Sequence, residues 1–561
     1  MTAQSSNFRA VKLRPAGVLI AIAAGLALAD SSVVALALPP IRVDLNTDVP
    51  GLAAVIGVYV AVLAAGLYPA ASLSRKIGPA TTGAIGFIIL GLASVGCAKA
   101  DTMTMLLIFR GLQALGGAAG VLAAFDLLDA GGQAGRQERH LWIAAAVFGT
   151  AAGPALGGIL TEILSWRWIF AVQLPIGVVG ALGCMATSIP LPTHHSSPFR
   201  WKPLVALALL AGGLTAVLFT LVLQLVAGWS VSPIVAALAV SVLPASAIAT
   251  SYWTKIAPGP RAALGCLMVG IGTLCLGVNF GASVLWTIPA QLIAGVGMGL
   301  ALPALTGELL PEKSTADSAR LLTSRHIGIV VALIAIAWLV NNSLSPSVTK
   351  AEQQAVAALL DSNVAPTTKL STLSSLQGKA DSTSPRGEIH GVLVAKGNKL
   401  GGSDKAAFRQ FTNEADDAIV RALNGAFRWA YLVAGIMSLI GAVLLADATT
   451  LGAARKKVVP AALAGAAVFG VYLAVFFAFR PADVPIQDPC KNRDLPSAGG
   501  LLGMVQTGIL RGLDKAACAD GATREELVLA LDPGSQAAAD YKAKHGHDPI
   551  SLKTLTGGLL G

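Results

Sequence analysis

The residues best suited to chemistry in this sequence are polar side chains inside long apolar runs. Asp30 interrupts the first run, Arg110 and Gln113 lie in the fourth, and Arg325 and His326 enter a later one. An ionised side chain at the centre of a membrane helix costs about 2.5 to 3.5 kcal/mol on insertion scales, so it is expected to face a bundle interior or a wet cavity. The chemistry that these residues indicate is movement of protons or solutes across a membrane.

Each of these residues has a functional and a structural interpretation. Asp30 is the best candidate for a proton carrier, and a hydrogen bond at a helix end is its alternative role. Arg110 needs a carboxylate or carbonyl partner, for proton coupling or for structural pairing. Gln113 contacts either a neighbouring helix or a substrate. Arg325 and His326 are late-span candidates, and His326 either titrates near neutral pH or is a satisfied interfacial histidine.

The composition requires a membrane as solvent for these residues. Of the 561 residues, 54% are hydrophobic and 12% are charged, against about 25% charged in average soluble proteins. The apolar residues come in runs of about 20, which is the length of a helix that crosses a hydrocarbon core. Barrel strands would instead alternate in segments of about 10 residues. The fold class is therefore an all-α polytopic membrane protein.

Hydropathy predicts thirteen transmembrane helices. They lie near residues 15–39, 50–73, 81–98, 103–125, 141–163, 169–190, 204–227, 232–252, 262–281, 284–306, 321–341, 428–448 and 459–479. The net charge of +10 is spread over short connectors, which is typical of topogenic charge and not of a nucleic-acid partner. Positive-inside counting places the N-terminus in the cytoplasm. An odd number of spans then places the C-terminal tail on the extracytoplasmic side. The membrane is expected to be the plasma (inner) membrane.

Two long polar segments fall on the outside in this topology, the loop 342–427 and the tail 480–561. In the loop, helical periodicity over 351–360 and 406–423 predicts two helices joined by a mobile linker. In the tail, Cys490 and Cys518 are expected to form a disulfide if they face an oxidising compartment. Both segments are candidate sites for an extracytoplasmic protein partner.

Four sequence motifs occur in order along the first half of the chain. They are ADSSVVALALPPIRVDLN at 29–46, RGLQALGG at 110–117, GTAAGPALGG at 149–158, and SWRWIF with LPIG at 165–177. This set resembles the fourteen-span drug:proton antiporter branch of the major facilitator superfamily. GVGMGLALP at 295–303 and RHIG at 325–328 are similar to its late-span elements.

The fifth-span motif is a candidate conformational element. Gly149, Gly153 and Gly157 recur every four residues and are followed by Gly158, so they offer a flat face for close helix packing. Pro154 removes one helical hydrogen bond and permits a bend. The resemblance to the antiporter motif favours a role in conformational exchange, although close packing alone would produce the same pattern.

Two departures from the family pattern bear on function. The loop between spans two and three usually carries an Asp, whereas here it contains Arg75, Lys76 and Gly78, so the gating contact is in doubt. The late spans also follow 232–252 directly, as though two spans of the family were missing.

The predicted organisation is a cytoplasmic N-terminus at 1–14, an N-terminal six-helix bundle at 15–190, an additional helix pair at 204–252, a rearranged C-terminal bundle at 262–448 with the external loop, an extra transmembrane helix at 459–479 and the extracytoplasmic tail.

The resemblance implies a secondary transporter that exports amphipathic organic compounds, drug-like or lipid-like, in exchange for protons by alternating access through the bilayer. The alternative is a transporter-derived membrane scaffold or envelope-assembly protein without transport activity. The sequence contains no GxxxxGKS phosphate loop and no nucleophile–base constellation. We therefore expect no enzyme activity, cofactor or metal.

Overall fold

The computed structural model describes the chain as helices joined by short connectors. The described residues are 14–129, 157–187, 198–279, 281–310, 314–376, 385–446, 448–479, 484–492, 495–496, 501–532 and 535–549. Within them, twelve helices are long and apolar enough to cross a membrane. Each of the twelve falls on one of the predicted spans. The remaining prediction, 141–163, lies largely outside the described residues.

The first half of the chain forms a bundle around α5. Its helices are α1 Pro15–Ala35, α2 Leu38–Asp44, α3 Val49–Ile77, α4 Pro79–Ala98, α5 Met103–Asp129, α6 described over residues 157–163, α7 Arg167–Ala171 and α8 Gln173–Met185. α5 packs against α3 and α4, and α8 packs against α1 and α4. The buried residues on these faces are mainly Ala, Leu, Val and Gly, which allow close helix approach in a membrane.

The turn between α3 and α4 is fixed by two residues. Gly78 has φ +88°, a conformation that favours glycine because it lacks a Cβ. Pro79 follows at the first position of α4, where a missing N–H costs nothing. Arg75 and Lys76 lie in the last turn of α3 and complement the negative end of its helix dipole. The predicted gating loop is therefore a single-residue turn after a basic helix end.

The second half forms another six-helix bundle. Its helices are α9 Trp201–Val222 with the π-turn Leu223–Gly228, α10 Pro233–Val240 and α11 Val242–Thr250 as one interrupted span, α12 Pro258–Leu276, α13 Val284–Pro303 with the π-turn Ala304–Leu309, α14 Thr315–Asp361 and α17 Gly402–Leu445. α12 packs against α13 and α17, and α11 packs against α13. In the first bundle, α4 packs against α5 and α8 in the same way, and α3 packs against α5. The two bundles therefore share one arrangement of helix contacts.

The predicted additional pair at 204–252 is in contact with later spans of the chain. α9 packs directly against α14 and α17, and the adjacent Gly212 and Gly213 explain why. A Cβ on Gly212 would lie 2.4 Å from the carbonyl oxygen of Gly328 on α14, and one on Gly213 would lie 2.9 Å from that of Ala434 on α17. The predicted pair at 204–252 therefore packs through α9 against two helices of the predicted bundle at 262–448.

The bundle has two faces, named here by their chain ends. α1, α9 and α14 begin on the near face, and the tail lies on the far face. The two bundles are in contact through α3 and α14, where Thr323 Oγ1 donates to the carbonyl of Ala64, near the middle of α3, at 3.5 Å.

The far face carries a helical dome. α14 and α17 continue beyond their apolar segments, and α15 Pro366–Leu376 and α16 Pro385–Gly397 lie between them in the chain. The predicted helices 351–360 and 406–423 are therefore continuations of spans. The predicted linker 371–386 is helical at 371–376 and 385–386, because Leu373 and Ile389 pack on a core around Phe408 and Phe411. Residues 377–384 lie outside the described residues.

The tail folds onto this dome. It contains α19 Leu501–Asp520, α20 Arg524–Ala530 and α21 Gln536–His545. Leu510 on α19 packs against Val356 and Leu360 on α14, and Gln354 Nε2 donates to the carbonyl of Val484 at 3.3 Å. The last long helix, α18 Ala448–Phe479, packs on α12. Only 17% of its apolar segment is buried inside the protein. It is the most peripheral of the twelve.

Candidate functional site

The central feature of the N-terminal bundle is an ion pair between Asp30 on α1 and Arg110 on α5. Arg110 Nη2 lies 2.7 Å from Asp30 Oδ2, and the two side chains are 0% and 1% exposed. The contact joins opposite charges at hydrogen-bond distance in a site closed to water. Removing one partner of such a buried pair typically costs about 3 to 5 kcal/mol, because the other charge is left uncompensated.

Two glutamines close the ion pair into a ring. Arg110 Nη1 donates to Gln113 Oε1 at 2.6 Å. Gln113 Nε2 donates to Gln173 Oε1 at 2.7 Å, and Gln173 Nε2 donates to Asp30 Oδ1 at 2.7 Å. Each member therefore contacts the next, from Arg110 through both amides back to Asp30. A ring of this kind can redistribute hydrogen bonds when one member gains or loses a proton.

The ring is held by neighbouring helices of the same bundle. Arg110 Nε donates to the carbonyl of Val55 on α3 at 3.0 Å, and its guanidinium carbon lies 4.3 Å from the ring centroid of Tyr59. The Tyr59 hydroxyl donates to the carbonyl of Ala27 at 3.1 Å. Gln113 Nε2 also donates to Ser94 Oγ on α4 at 2.8 Å. Helices α1, α3, α4, α5 and α8 thus position one buried polar cluster.

Sequence reasoning selected Asp30, Arg110 and Gln113 but missed Gln173. The signal that could have found Gln173 is its amide side chain inside the apolar run that begins at Ile169. Ser94 and Tyr59 were also missed, and each is only weakly polar in an otherwise apolar helix. Among the described residues, no three His, Cys, Asp or Glu side chains come close enough to hold a metal ion.

The late-span candidates lie apart from the ring, on α14 of the other bundle. His326 is buried and its Nδ1 lies 2.6 Å from the carbonyl oxygen of Leu322 one turn earlier, which is the satisfied arrangement of a helical histidine. Arg325 is half-buried and is joined to the ring by no hydrogen bond or ion pair. The structure therefore does not bring Arg325 or His326 together with Asp30.

At the near face, a different acid occupies the junction between the bundles. Asp126, at the end of α5, accepts a hydrogen bond from Ser74 Oγ on α3 at 3.1 Å. Its other oxygen accepts one from Thr315 Oγ1, in the first turn of α14, at 2.7 Å. The positive end of the α14 helix dipole favours this carboxylate. Arg75 instead donates to Ser72 Oγ at 2.9 Å within its own helix.

The fifth-span motif is described only at its end, since Gly149, Gly153 and Pro154 lie outside the described residues. A Cβ on Gly157 would lie 2.4 Å from the carbonyl oxygen of Val33 on α1. One on Gly158 would lie 2.9 Å from that of Pro233 at the start of α10. These two glycines place α6 in close contact with both bundles at the far face.

In the tail, Cys490 and Cys518 form a disulfide with Cα atoms 5.0 Å apart. The bond joins the segment before α19 to the end of α19. The four other cysteines, Cys97, Cys184, Cys266 and Cys275, are buried free thiols.

Comparison with known proteins gives concordant matches. The family model described as Major Facilitator Superfamily matches residues 20–333. Proteins named multidrug resistance protein MdtD, from Yersinia pestis (strain Pestoides F) and Yersinia pseudotuberculosis serotype O:1b (strain IP 31758), are 32% identical over 235 residues. Those alignments cover 40% of this chain and 47% of each relative. The chain thus spans about half the length of the curated relatives it matches.

Two solved structures share the fold at low sequence identity. Both are of a bacterial homolog of the human lysosomal transporter Spinster, in inward-facing unoccupied and occupied conformations. They align with TM-scores of 0.53 and 0.52 at 15% identity, covering 77% and 76% of this chain and 97% and 95% of theirs.

Proposed function

Because this chain belongs to the major facilitator superfamily, we propose that it is a secondary transporter that exports amphipathic organic compounds by alternating access, driven by a proton gradient. The family and the structural neighbours indicate a multi-pass membrane transporter and not an enzyme. Export is supported by relatives named for multidrug resistance. In a bacterial inner membrane, the near face would be cytoplasmic and the dome extracytoplasmic.

The observation that carries proton coupling is the Asp30–Arg110 pair within the ring. A proton taken up by Asp30 neutralises the carboxylate and leaves the Arg110 guanidinium buried without its counter-charge. Because an uncompensated buried charge costs several kcal/mol, movement of the Arg110 guanidinium toward another acceptor or toward water becomes favourable. Gln113 contacts Arg110 and Gln173 contacts Asp30, and the two amides contact each other, so a shift of Arg110 also changes the contacts of α8.

The junction at Asp126 would couple this change to access. α5 carries Arg110 and Gln113 near its middle and Asp126 at its near end. A displacement of α5 that accompanies proton uptake would also strain the hydrogen bonds from Ser74 and Thr315. Opening of the near face then follows from loss of the bonds that join α3 and α5 to α14.

The test is transport by the purified full-length chain in proteoliposomes with an imposed pH gradient. A panel of fluorescent amphiphiles, cationic, neutral and anionic, serves as substrate. Native protein is expected to move at least one probe in a gradient-dependent manner. Asp30→Asn and Arg110→Gln should each lower that rate by tenfold or more. The control is Asp101→Asn, whose side chain is 87% exposed and lies outside the ring.

A second function, a membrane scaffold or assembly protein, is favoured by the dome and tail. These segments build a separate helical body on α14 and α17. If native protein transports none of the probes while a co-purified protein is lost on removal of residues 484–561, the scaffold interpretation replaces the transport proposal. If transport survives removal of the tail, the tail is accessory.

A further inference from the structure

The far end of α9 has an irregular backbone that is held from two sides. The π-turn Leu223–Gly228 follows the regular helix, and such turns are frequent at functional sites. Two residues later, Ser230 has φ +58°, a left-handed conformation that is unfavourable for a residue with a Cβ. Backbone of this kind persists only where the surrounding structure fixes it. The contacts around the π-turn therefore determine the shape of this end of α9.

Within the bundle, side chains of α17 hold the π-turn. Asn424 Oδ1 accepts hydrogen bonds from Gln224 Nε2 at 2.9 Å and from Trp229 Nε1 at 3.0 Å. The Tyr431 hydroxyl donates to Gln224 Oε1 at 2.7 Å. These four residues are between 1% and 5% exposed. Buried hydrogen bonds thus join the far end of α9 to α17.

From the dome, Arg386 on α16 holds the same turn. Its Nη1 donates to the carbonyl of Trp229 at 2.8 Å. Its Nε and Nη2 donate to the two carboxylate oxygens of Asp416 on α17 at 2.8 and 2.9 Å, a bidentate geometry that adds strength and direction. One guanidinium therefore joins the dome, α17 and the end of α9.

The segment that Arg386 holds also closes the far face between the two bundles. Leu225 and Trp229 belong to a buried apolar cluster that includes Ala35 and Leu36 at the end of α1. The π-turn contacts α2 as well. Ala35 lies five residues after Asp30 on the same helix. Because the cluster contains residues of both bundles, it must separate before the far face can open.

We propose that Arg386 is the positioning residue of a far-face latch, which consists of Arg386, Asp416 and the π-turn. While Arg386 binds both Asp416 and the Trp229 carbonyl, the π-turn keeps its shape and the end of α9 stays packed on α1. When movement of the dome withdraws Arg386 from that carbonyl, the turn relaxes and α9 separates from α1. Use of the latch in a transport cycle rests on the proposed function, whereas its effect on access to the far face requires no transported substrate.

The experiment measures access to the far face in the purified full-length chain. The reporter is Val222→Cys, because Val222 is 0% exposed and belongs to the cluster at the end of α1. Its rate of reaction with a water-soluble maleimide is compared with and without Arg386→Gln. Loss of hydrogen bonds from a charged donor should raise this rate by about tenfold. Amide hydrogen exchange over residues 223–231 should become faster in the same variant, because the amides of Trp229 and Val231 donate within this turn.

Two further variants separate a latch from a general effect of charge. Asp416→Asn removes the other end of the ion pair and should raise the labelling rate as much as Arg386→Gln does. The double variant should exceed neither single variant, because both remove the same interaction. Arg409→Gln is the matched control, since Arg409 is an exposed arginine of the dome, and it should leave the rate unchanged.

Three results would overturn the proposal. Unchanged labelling and exchange in Arg386→Gln would show that Arg386 does not hold the far face closed. An equal effect of Arg409→Gln would assign the change to the total charge of the dome. Faster labelling of a Thr323→Cys reporter, between α3 and α14, would show that the two bundles loosen throughout. If the native chain moves no transport probe while Arg386→Gln still exposes Val222→Cys, the proposed function fails and the latch stands.

Discussion

At the residue scale, the buried ring shows which parts of the site were readable from sequence. Asp30, Arg110 and Gln113 could be selected because a charge or an amide in a membrane helix needs a partner. Their partners could not be assigned, since Gln173 is 143 positions away from Asp30. Only packing of α8 against α1 and α4 brings it there.

Gln173→Leu should uncouple the ring without removing either charge. Asp30 then loses one hydrogen-bond donor and Gln113 loses an acceptor, which costs about 1 to 3 kcal/mol when the groups stay buried. We expect gradient-driven transport to fall about tenfold while the protein remains folded. The matched control is Gln291→Leu, which removes a fully buried glutamine of the other bundle that donates to Thr287. Equal loss in both variants would contradict a specific role for Gln173.

A second residue-scale prediction concerns Lys369 in the dome, whose Nζ donates to the carbonyl of Leu360 at 2.7 Å. Burial, opposed by Asp361 and reinforced by Arg524, lowers the pKa of Lys369 to about 8 from its ordinary value of 10.5. Between those values the unfolded dome binds more protons than the folded one, so dome stability should rise as pH rises from about 8 toward 10.5.

Limited proteolysis in increasing urea, at pH 7.5 and pH 9.5, measures this effect. Native protein should need more urea for cleavage of the dome at the higher pH. Lys369→Met should abolish most of the difference between the two pH values. An unchanged difference in that variant would assign the pH dependence to other groups.

At the element scale, α3, α5 and α14 meet at a carboxylate, that of Asp126. The sequence shows that Arg75 stands where an acid is usual, but it does not show that Asp126 supplies a carboxylate to the first turn of α14. That assignment depends on the length of α5, which carries Asp126 to the near face beside Ser74 and Thr315. A carboxylate therefore lies at this junction, carried by α5 and not by the turn before α4.

Asp126→Asn keeps the size of the side chain and removes its charge. Hydrogen bonds to a charged group contribute about 1.5 to 3 kcal/mol, so the variant should shift the two bundles toward an open near face by about tenfold. The measurement is the rate of thiol labelling of a Thr323→Cys reporter, which lies between α14 and α3. Faster labelling is expected with Asp126→Asn, and no change with Asp101→Asn at the far face. Unchanged labelling in both would show that Asp126 does not hold the near face closed.

At the scale of the whole molecule, sequence predicted the spans but not their assembly. Apolar length locates a helix reliably, and each of the twelve described long helices falls on a predicted span. Which helices form a bundle depends on side-chain fit, such as Gly212 and Gly213 against α14 and α17. Hydropathy does not report that fit, so it does not show that α9 packs against α14 and α17.

The tail should stay docked only while its disulfide and its buried arginine are intact. Arg524 is fully buried and lies 2.7 Å from Asp361 on α14 and 3.0 Å from Glu525. Replacing both cysteines, Cys490→Ser with Cys518→Ser, should destabilise the tail by about 3.5 kcal/mol in the chain-entropy model. Protease cleavage of the tail should then become faster, and a reductant should accelerate cleavage of the native chain but not of the variant. Equal cleavage of both forms without reductant would show that the bond contributes little.

The continuity of α17 has a mechanical consequence. This 44-residue helix has no internal proline, and its first 24 residues, 402–425, lie in the dome as an arm of about 36 Å at 1.5 Å per residue. If the C-terminal bundle tilts by about 10° during a transport cycle, the end of such an arm sweeps through about 6 Å. α17 is in this sense a lever whose short displacement within the bilayer is amplified outside it. The distance between a fluorophore on the dome and another on α18 would report each tilt of the bundle from the aqueous side.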